Sequence, residues 1–129
     1  MIAIDTNVLV RLLTADHPSQ FKASQKLFAS ESIFIPDSVV LETEWVLRAA
    51  YDMSPSLVCE ALRQVFGLPN VMLANPQRMA QVIYWHESGL DFADAFHLAA
   101  SQDCSVMKTF NVDFIKRSKL LGGCSVEKV

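Results

Sequence analysis

Met1-Ile-Ala-Ile-Asp5, followed by Thr6-Asn-Val-Leu-Val-Arg-Leu-Leu13, opens the chain with an apolar run cut by an acid and then resumed. Met1 to Asp5 reads as a short buried strand. Val8 to Leu13 reads as a helix or helical turn, because its apolar residues crowd too closely for a half-buried strand. Asp5 stands directly after Ile2, Ala3 and Ile4, where a purely structural sequence would continue apolar or turn through Gly. Its simplest task is to cap the helix that starts near Thr6 or Asn7. Asp5, Thr6 and Asn7 together also put three polar side chains at one strand end, which is where chemistry is placed in this kind of chain.

The alternation of strand and helix continues outward from that opening. Pro18-Ser19 starts a helix with Phe21, Leu27 and Phe28 on its apolar face, and Ser32 to Ile35 is a β-rich run stopped by Pro36. Asp37 or Ser38 caps a helix running to about Ala50. Ser54-Pro55 starts another, which Gly67 stops. Val71 to Ala74 is a third strand. Asn75-Pro76 begins a helix ended by Gly89, Asp91 leads one to about Ser101, Ser105 to Thr109 is a fourth strand, and a short helix covers about Asp113 to Lys119. Cys124 to Val129 fits a fifth, edge strand.

Short strands separated by helices pair in parallel through right-handed crossovers. The expected fold is therefore α/β: a three-layer α/β/α sandwich around a central, mostly parallel sheet of four to five strands, with residues 1–129 as a single domain. Ligands in such sheets sit beyond the carboxyl ends of the strands.

Composition agrees with one compact domain. The 129 residues are 51% apolar and 19% charged, enough apolar surface to offset the entropy of ordering the chain, which excludes global disorder. Three cysteines, Cys59, Cys104 and Cys124, are too few and too dispersed for a disulfide scaffold, and no C-x-x-C pair points to zinc. They fit a reducing cytoplasm. The opening apolar run carries Asp5 and Arg11 and no basic leader, so neither a signal peptide nor a membrane span is expected. A formal charge of −3 gives no broad positive field of the kind that holds nucleic acid by phosphate neutralisation alone. It leaves open an enzyme that meets phosphates through a metal held by carboxylates.

The acids carry the functional reading. Glu42 sits in a greasy stretch between Val39-Val-Leu41 and Trp45-Val-Leu47, and Glu44 lies about 200° further around the helix, so one of the two faces solvent. Asp91 and Asp94 are three apart at a helix start, where Asp91 suits the cap and Asp94 the first turn. Asn111 and Asp113 follow the fourth strand and would serve as turn and cap residues. If strands one and four are neighbours, Asp5, Glu42, Asp94, Asn111 and Asp113 converge on one rim. Like charges roughly 6 Å apart repel by about 3 kcal/mol at an effective dielectric of 20. Such a set is tolerable around a divalent cation, and oxygen ligands suit Mg²⁺ or Mn²⁺.

At these residues the chain resembles the PIN domain family, and in particular its VapC-type ribonuclease toxins. The matching segments are Ile4-Asp-Thr-Asn-Val-Leu-Val-Arg11, Ile35-Pro-Asp-Ser-Val-Val-Leu-Glu42 with Trp45-Val-Leu-Arg48, Asp91-Phe-Ala-Asp-Ala-Phe-His-Leu-Ala-Ala100 and Thr109-Phe-Asn-Val-Asp-Phe114. The resemblance implies a metal-dependent endoribonuclease that hydrolyses RNA phosphodiester bonds with Mg²⁺ or Mn²⁺. It further implies a cytoplasmic toxin that pairs with a small antitoxin protein and forms a homodimer. Asp5, Glu42 and Asp94 match the three main acids, with Asp5 and Asp94 implied as metal ligands and Glu42 as the residue that orients or deprotonates water. For the fourth position Asp113, as catalytic and metal-binding residue, competes with Asn111 and Asp91. Thr109 matches the usual hydroxyl, Asn7 is a further candidate, and Phe110 stands where relatives often carry Arg.

Other residues have simpler readings beside the functional ones. His97, one turn after Asp94, approaches the acids or is an ordinary helix residue, and His17 and His86 lie far off in sequence. Trp45, Tyr84 and Trp85 suit base stacking or core packing. Lys116, Arg117 and Lys119 either guide RNA or form a solvated helix end. The rival classes are a receiver-like phosphoacceptor signalling module and a catalytically inactive PIN-like binding domain.

Overall fold

The structure, a computed structural model, describes residues 1–129. Contacts divide the chain into two compact units, Met1–Pro76 and Gln77–Val129. No helix is long and apolar enough to cross a membrane.

The first unit alternates as expected: β1 (Ile2–Ala3), α1 (Thr6–Thr14), α2 (Pro18–Ser30), β2 (Ile33–Ile35), α3 (Asp37–Ala49), α4 (Pro55–Phe66) and β3 (Val71–Leu73). The strands pair in parallel in the order β1-β2-β3, with Ile2 opposite Ile33 and Ile33 opposite Val71. Ile33 and Ile35 are fully buried on β2, the central strand. Parallel strands need long crossovers, and each is supplied by a pair of helices, α1–α2 and α3–α4.

Local sequence explains where these helices begin and end. Ser54 caps α4, its hydroxyl accepting from Leu57 N, while Pro55 takes the first helical position and Gly67 ends the helix. His17 caps α2 through Nδ1, ahead of Pro18, which settles a helix-terminus role for that histidine. The start of α3 departs from expectation. Pro36 is its N-cap and makes no side-chain cap bond, while Asp37 is the first helical residue. An acid there still complements the positive end of the helix.

The second unit holds α5 from its second residue on (Pro76–Glu87), α6 (Phe92–Ala100), β4 (Val106–Thr109), α7 (Val112–Ser118) and β5 (Ser125–Lys128). β4 and β5 pair in parallel along their whole length, from Val106 opposite Ser125 to Thr109 opposite Lys128, with Lys108 Nζ 3.2 Å from Glu127 Oε1. All five strands thus take part in parallel pairings. They form a three-stranded and a two-stranded ladder rather than one hydrogen-bonded sheet of four to five. β1 runs for only two residues before Asp5 turns the chain into α1, which leaves it few backbone groups for a second ladder. The architecture remains mixed α/β, of the class expected for an α/β/α fold.

Trp85 and His86 belong to the core of this unit. Trp85 is 2% exposed and its indole N–H donates to Leu121 O at 2.9 Å. His86 Nδ1 lies 2.8 Å from Leu90 O, and its ring meets Phe92 edge-on at 5.2 Å. Neither is available to RNA or metal. Gly123 lets the chain pass these side chains closely: a Cβ there would come within 2.9 Å of Leu98 Cδ2 and 3.0 Å of Trp85 Cη2.

Candidate active site

Asp5 ends β1 and caps α1, its Oδ1 accepting from Thr6 N at 2.7 Å. The cap uses one carboxylate oxygen and leaves the exposed side chain on the wall of a cleft. Thr6, next in sequence, is buried, and its hydroxyl donates to Glu42 Oε1 on α3. That bond links the first strand end to the acid of the third helix. Asp5, Thr6, Asn7 and Glu42 together line a cleft of about 400 Å³, with Val10, Arg11, Val46, Ala50 and Tyr51 completing it. Within this unit, Asp5, Asn7 and Glu42 are thus brought to one place.

Of the two acids on α3, Glu42 is the exposed one and Glu44 the buried one, at 3%. Glu44 Oε2 accepts from Arg48 Nε one turn on, at 3.0 Å, which offsets the cost of removing its charge from water. The greasy neighbourhood in sequence pointed equally at both acids; the buried stripe is Val40, Thr43, Glu44 and Leu47.

The second set of candidates lies in the second unit. Asp91 caps α6, its Oδ2 accepting from Asp94 N at 3.2 Å. Asp94 is partly buried, and its carboxyl is pushed above the ordinary range, first by that burial, then by the charge of Asp91 and, more weakly, of Asp113. His97 opposes the shift. Asp94 thus feels the charges of both Asp91 and Asp113, with His97 as a counterweight one turn along the helix.

Asp113, the second residue of α7, accepts from Arg117 Nε at 2.8 Å, and Arg117 Nη1 also donates to Gly89 O at 3.2 Å. The basic cluster Lys116, Arg117 and Lys119 therefore has one member already committed to an acid. Asn111 caps α7 by accepting from Phe114 N, and its own N–H donates to Thr109 Oγ1 at 3.0 Å. Thr109 and Asn111 thereby fix the turn that follows β4, leaving Phe110 between them 75% exposed. Each candidate for the fourth acidic position thus has a structural task as well: Asp113 as ion-pair partner, Asn111 and Asp91 as caps.

Sequence reading missed a network beside Asp5. Arg11 Nε donates to Gln20 Oε1 at 2.8 Å, and Arg11 Nη1 to Asp16 Oδ1 at 3.2 Å and Tyr51 Oη at 3.3 Å. Asp16 also accepts from Tyr51 at 2.7 Å and Thr14 at 2.9 Å. The Tyr51 hydroxyl, then the Thr14 hydroxyl and the Arg11 charge, hold the Asp16 carboxyl below its usual range.

The donors at both places are oxygens, mostly carboxylate, and the negative charge that Asp91 and Asp113 place on Asp94 is what a divalent cation would relieve. The chemistry of the donor set fits Mg²⁺ or Mn²⁺ and does not fit a soft-metal site. A family model described as PIN domain matches residues 2–120, running through both units. No curated protein matches the chain. The match gives the receiver-like alternative no support, and it covers every acid singled out above. The chain belongs to the PIN domain family, a nuclease fold generally dependent on divalent metal.

Proposed function

We propose that this PIN domain is an Mg²⁺- or Mn²⁺-dependent endoribonuclease and the toxin of a VapBC-type pair, acting in the cytoplasm. The observation that carries the catalytic part is the cleft in which Asp5 and Glu42 are both exposed while Thr6 ties Glu42 in place. Asp5 would serve as a metal-holding carboxylate beside Glu42, and Asp94 and Asp113 are the further carboxylates that would hold the cation. When bound, the cation polarises the scissile phosphate and lowers the pKa of water.

The residues of the chain do the rest. Glu42, with Oε1 held by the Thr6 hydroxyl, keeps Oε2 for the proton of the attacking water. Water adds to phosphorus, the P–O bond to the leaving ribose oxygen breaks, and that oxygen takes a proton from solvent. Asp5, with Oδ1 engaged by Thr6 N, is held in place by its cap bond and would keep Oδ2 free to hold the cation.

Purified protein incubated with a 5′-labelled single-stranded RNA should cleave it with Mg²⁺ or Mn²⁺ and stop on addition of EDTA. Cleavage that persists in EDTA, or none with either ion, overturns the nuclease assignment. The toxin part has its own test. Expression alone should slow growth and co-expression of the neighbouring small gene product, the antitoxin, should restore it; indifference to both overturns that part. The proposed homodimer is checked by the mass of the protein in solution.

A further inference from the structure

Arg11 is the one cation among the residues lining the Asp5–Glu42 cleft. We propose that its guanidinium grips a phosphate of the RNA backbone beside the scissile bond, a substrate-binding role that rests on the ribonuclease reading above. The two acids of the cleft repel a polyanion. A guanidinium on the same wall opposes that repulsion, and its planar fork matches phosphate oxygens.

The group is fixed in advance. Gln20 takes Nε, while Asp16 and Tyr51 take Nη1, and no residue of the chain accepts from Nη2. Asp16 does not chelate it, for their contact is a single one at 3.2 Å and the same carboxylate is shared with Tyr51 and Thr14. Arg11 is thus oriented with two N–H donors to spare, and little side-chain freedom is lost when a phosphate arrives. Arg11 and Asn7 also line an adjoining cavity of about 230 Å³ with Gln20 and Ser24. A cation standing between two neighbouring depressions suits a polymer that continues past the reacting phosphate better than a small molecule confined to one.

The test uses the full chain carrying Asp5→Asn to prevent cleavage, with a fluorescein-labelled single-stranded RNA titrated by anisotropy at several salt concentrations. Arg11→Gln in that background should weaken binding by about tenfold or more, as loss of a charge-assisted hydrogen bond does. It should also make the slope of log affinity against log salt shallower by about 0.7, the value for one phosphate contact on a single strand. Arg11→Lys, which keeps the charge, should retain the slope. Asp16→Asn, which breaks the network and leaves the guanidinium, should retain it too. An unchanged slope for Arg11→Gln, in protein whose parent cleaves RNA, overturns the role of Arg11 and leaves the nuclease standing. A parent that neither cleaves nor binds RNA overturns both. Equal slopes lost by Arg11→Gln and Asp16→Asn would make Arg11 a structural member of the network and overturn the proposal.

Discussion

Replacing Asp5 by Asn separates the two tasks of one carboxylate. Asn keeps an oxygen where Oδ1 accepts from Thr6 N, and Asn and Asp cap helices about equally well. Losing the negative charge at the positive end of α1 costs about 0.3 to 1 kcal/mol. Losing repulsion against Glu42, in an exposed cleft where water screens, returns less than about 1 kcal/mol, the scale for charges ~4 Å apart in bulk water. The balance is within about 1 kcal/mol, or about 3–5 °C in Tm for a chain of this size. Asp5→Ala lacks the cap and should lose about 1 kcal/mol more. The chemical effect is of another order. Removing a carboxylate that holds the cation forfeits several kcal/mol of transition-state stabilisation, and about 4 kcal/mol corresponds to roughly a thousandfold in rate. Single-turnover cleavage of labelled RNA, read beside thermal unfolding by circular dichroism, measures both quantities. If Asp5→Asn cleaves within tenfold of the parent, or unfolds as early as Asp5→Ala, the division of labour at Asp5 is wrong.

Asp113→Asn removes an exposed i,i+4 ion pair with Arg117, worth about 0.3 to 0.5 kcal/mol; an unchanged Tm with cleavage reduced more than tenfold assigns the fourth acidic position to Asp113, and unchanged cleavage removes it. Asp16→Asn carries a pH signature: the native carboxyl is held below its unfolded value of 3.8, so its contribution is present at neutral pH and is lost as pH falls through the native pKa. Thermal melts should therefore show Asp16→Asn below the parent at pH 7 and level with it in strong acid, and a constant gap would refute the linkage. Gly123→Ala pushes a methyl against Leu98 and Trp85, both buried, and should cost about 1–3 kcal/mol by chemical denaturation; a neutral result would mean that this part of the core yields easily.

How much of this was legible beforehand depends on how local each cause is. Ser54-Pro55, Gly67, Asp91 and the turn Thr109–Asn111 act within a few residues of themselves, and helix bounds read from them fall within one or two residues of those observed. Glu44 was not legible, because a 3.6-residue period shows that it and Glu42 face differently without showing which face is inward. Thr43 and Glu44 interrupt the apolar stripe that would have marked the buried side. The Arg11, Asp16 and Tyr51 network joins α1, the turn after it and the turn that follows α3, a tertiary meeting with no periodic trace. An edge strand over the tail was readable, but its pairing with β4 and the division of five strands into two ladders were not, because strand partners are set by tertiary meeting and leave no local signal.

The β4–β5 ladder has a practical consequence. The family match ends at residue 120, whereas β5 begins at Ser125. Trimming the chain to the matched span would strip β4 of the strand it pairs with along four residues and remove Val126 from the interior. An uncovered edge of that kind invites self-association. A truncated version that precipitates would then report on a lost border strand and say nothing about the chemistry of the acids.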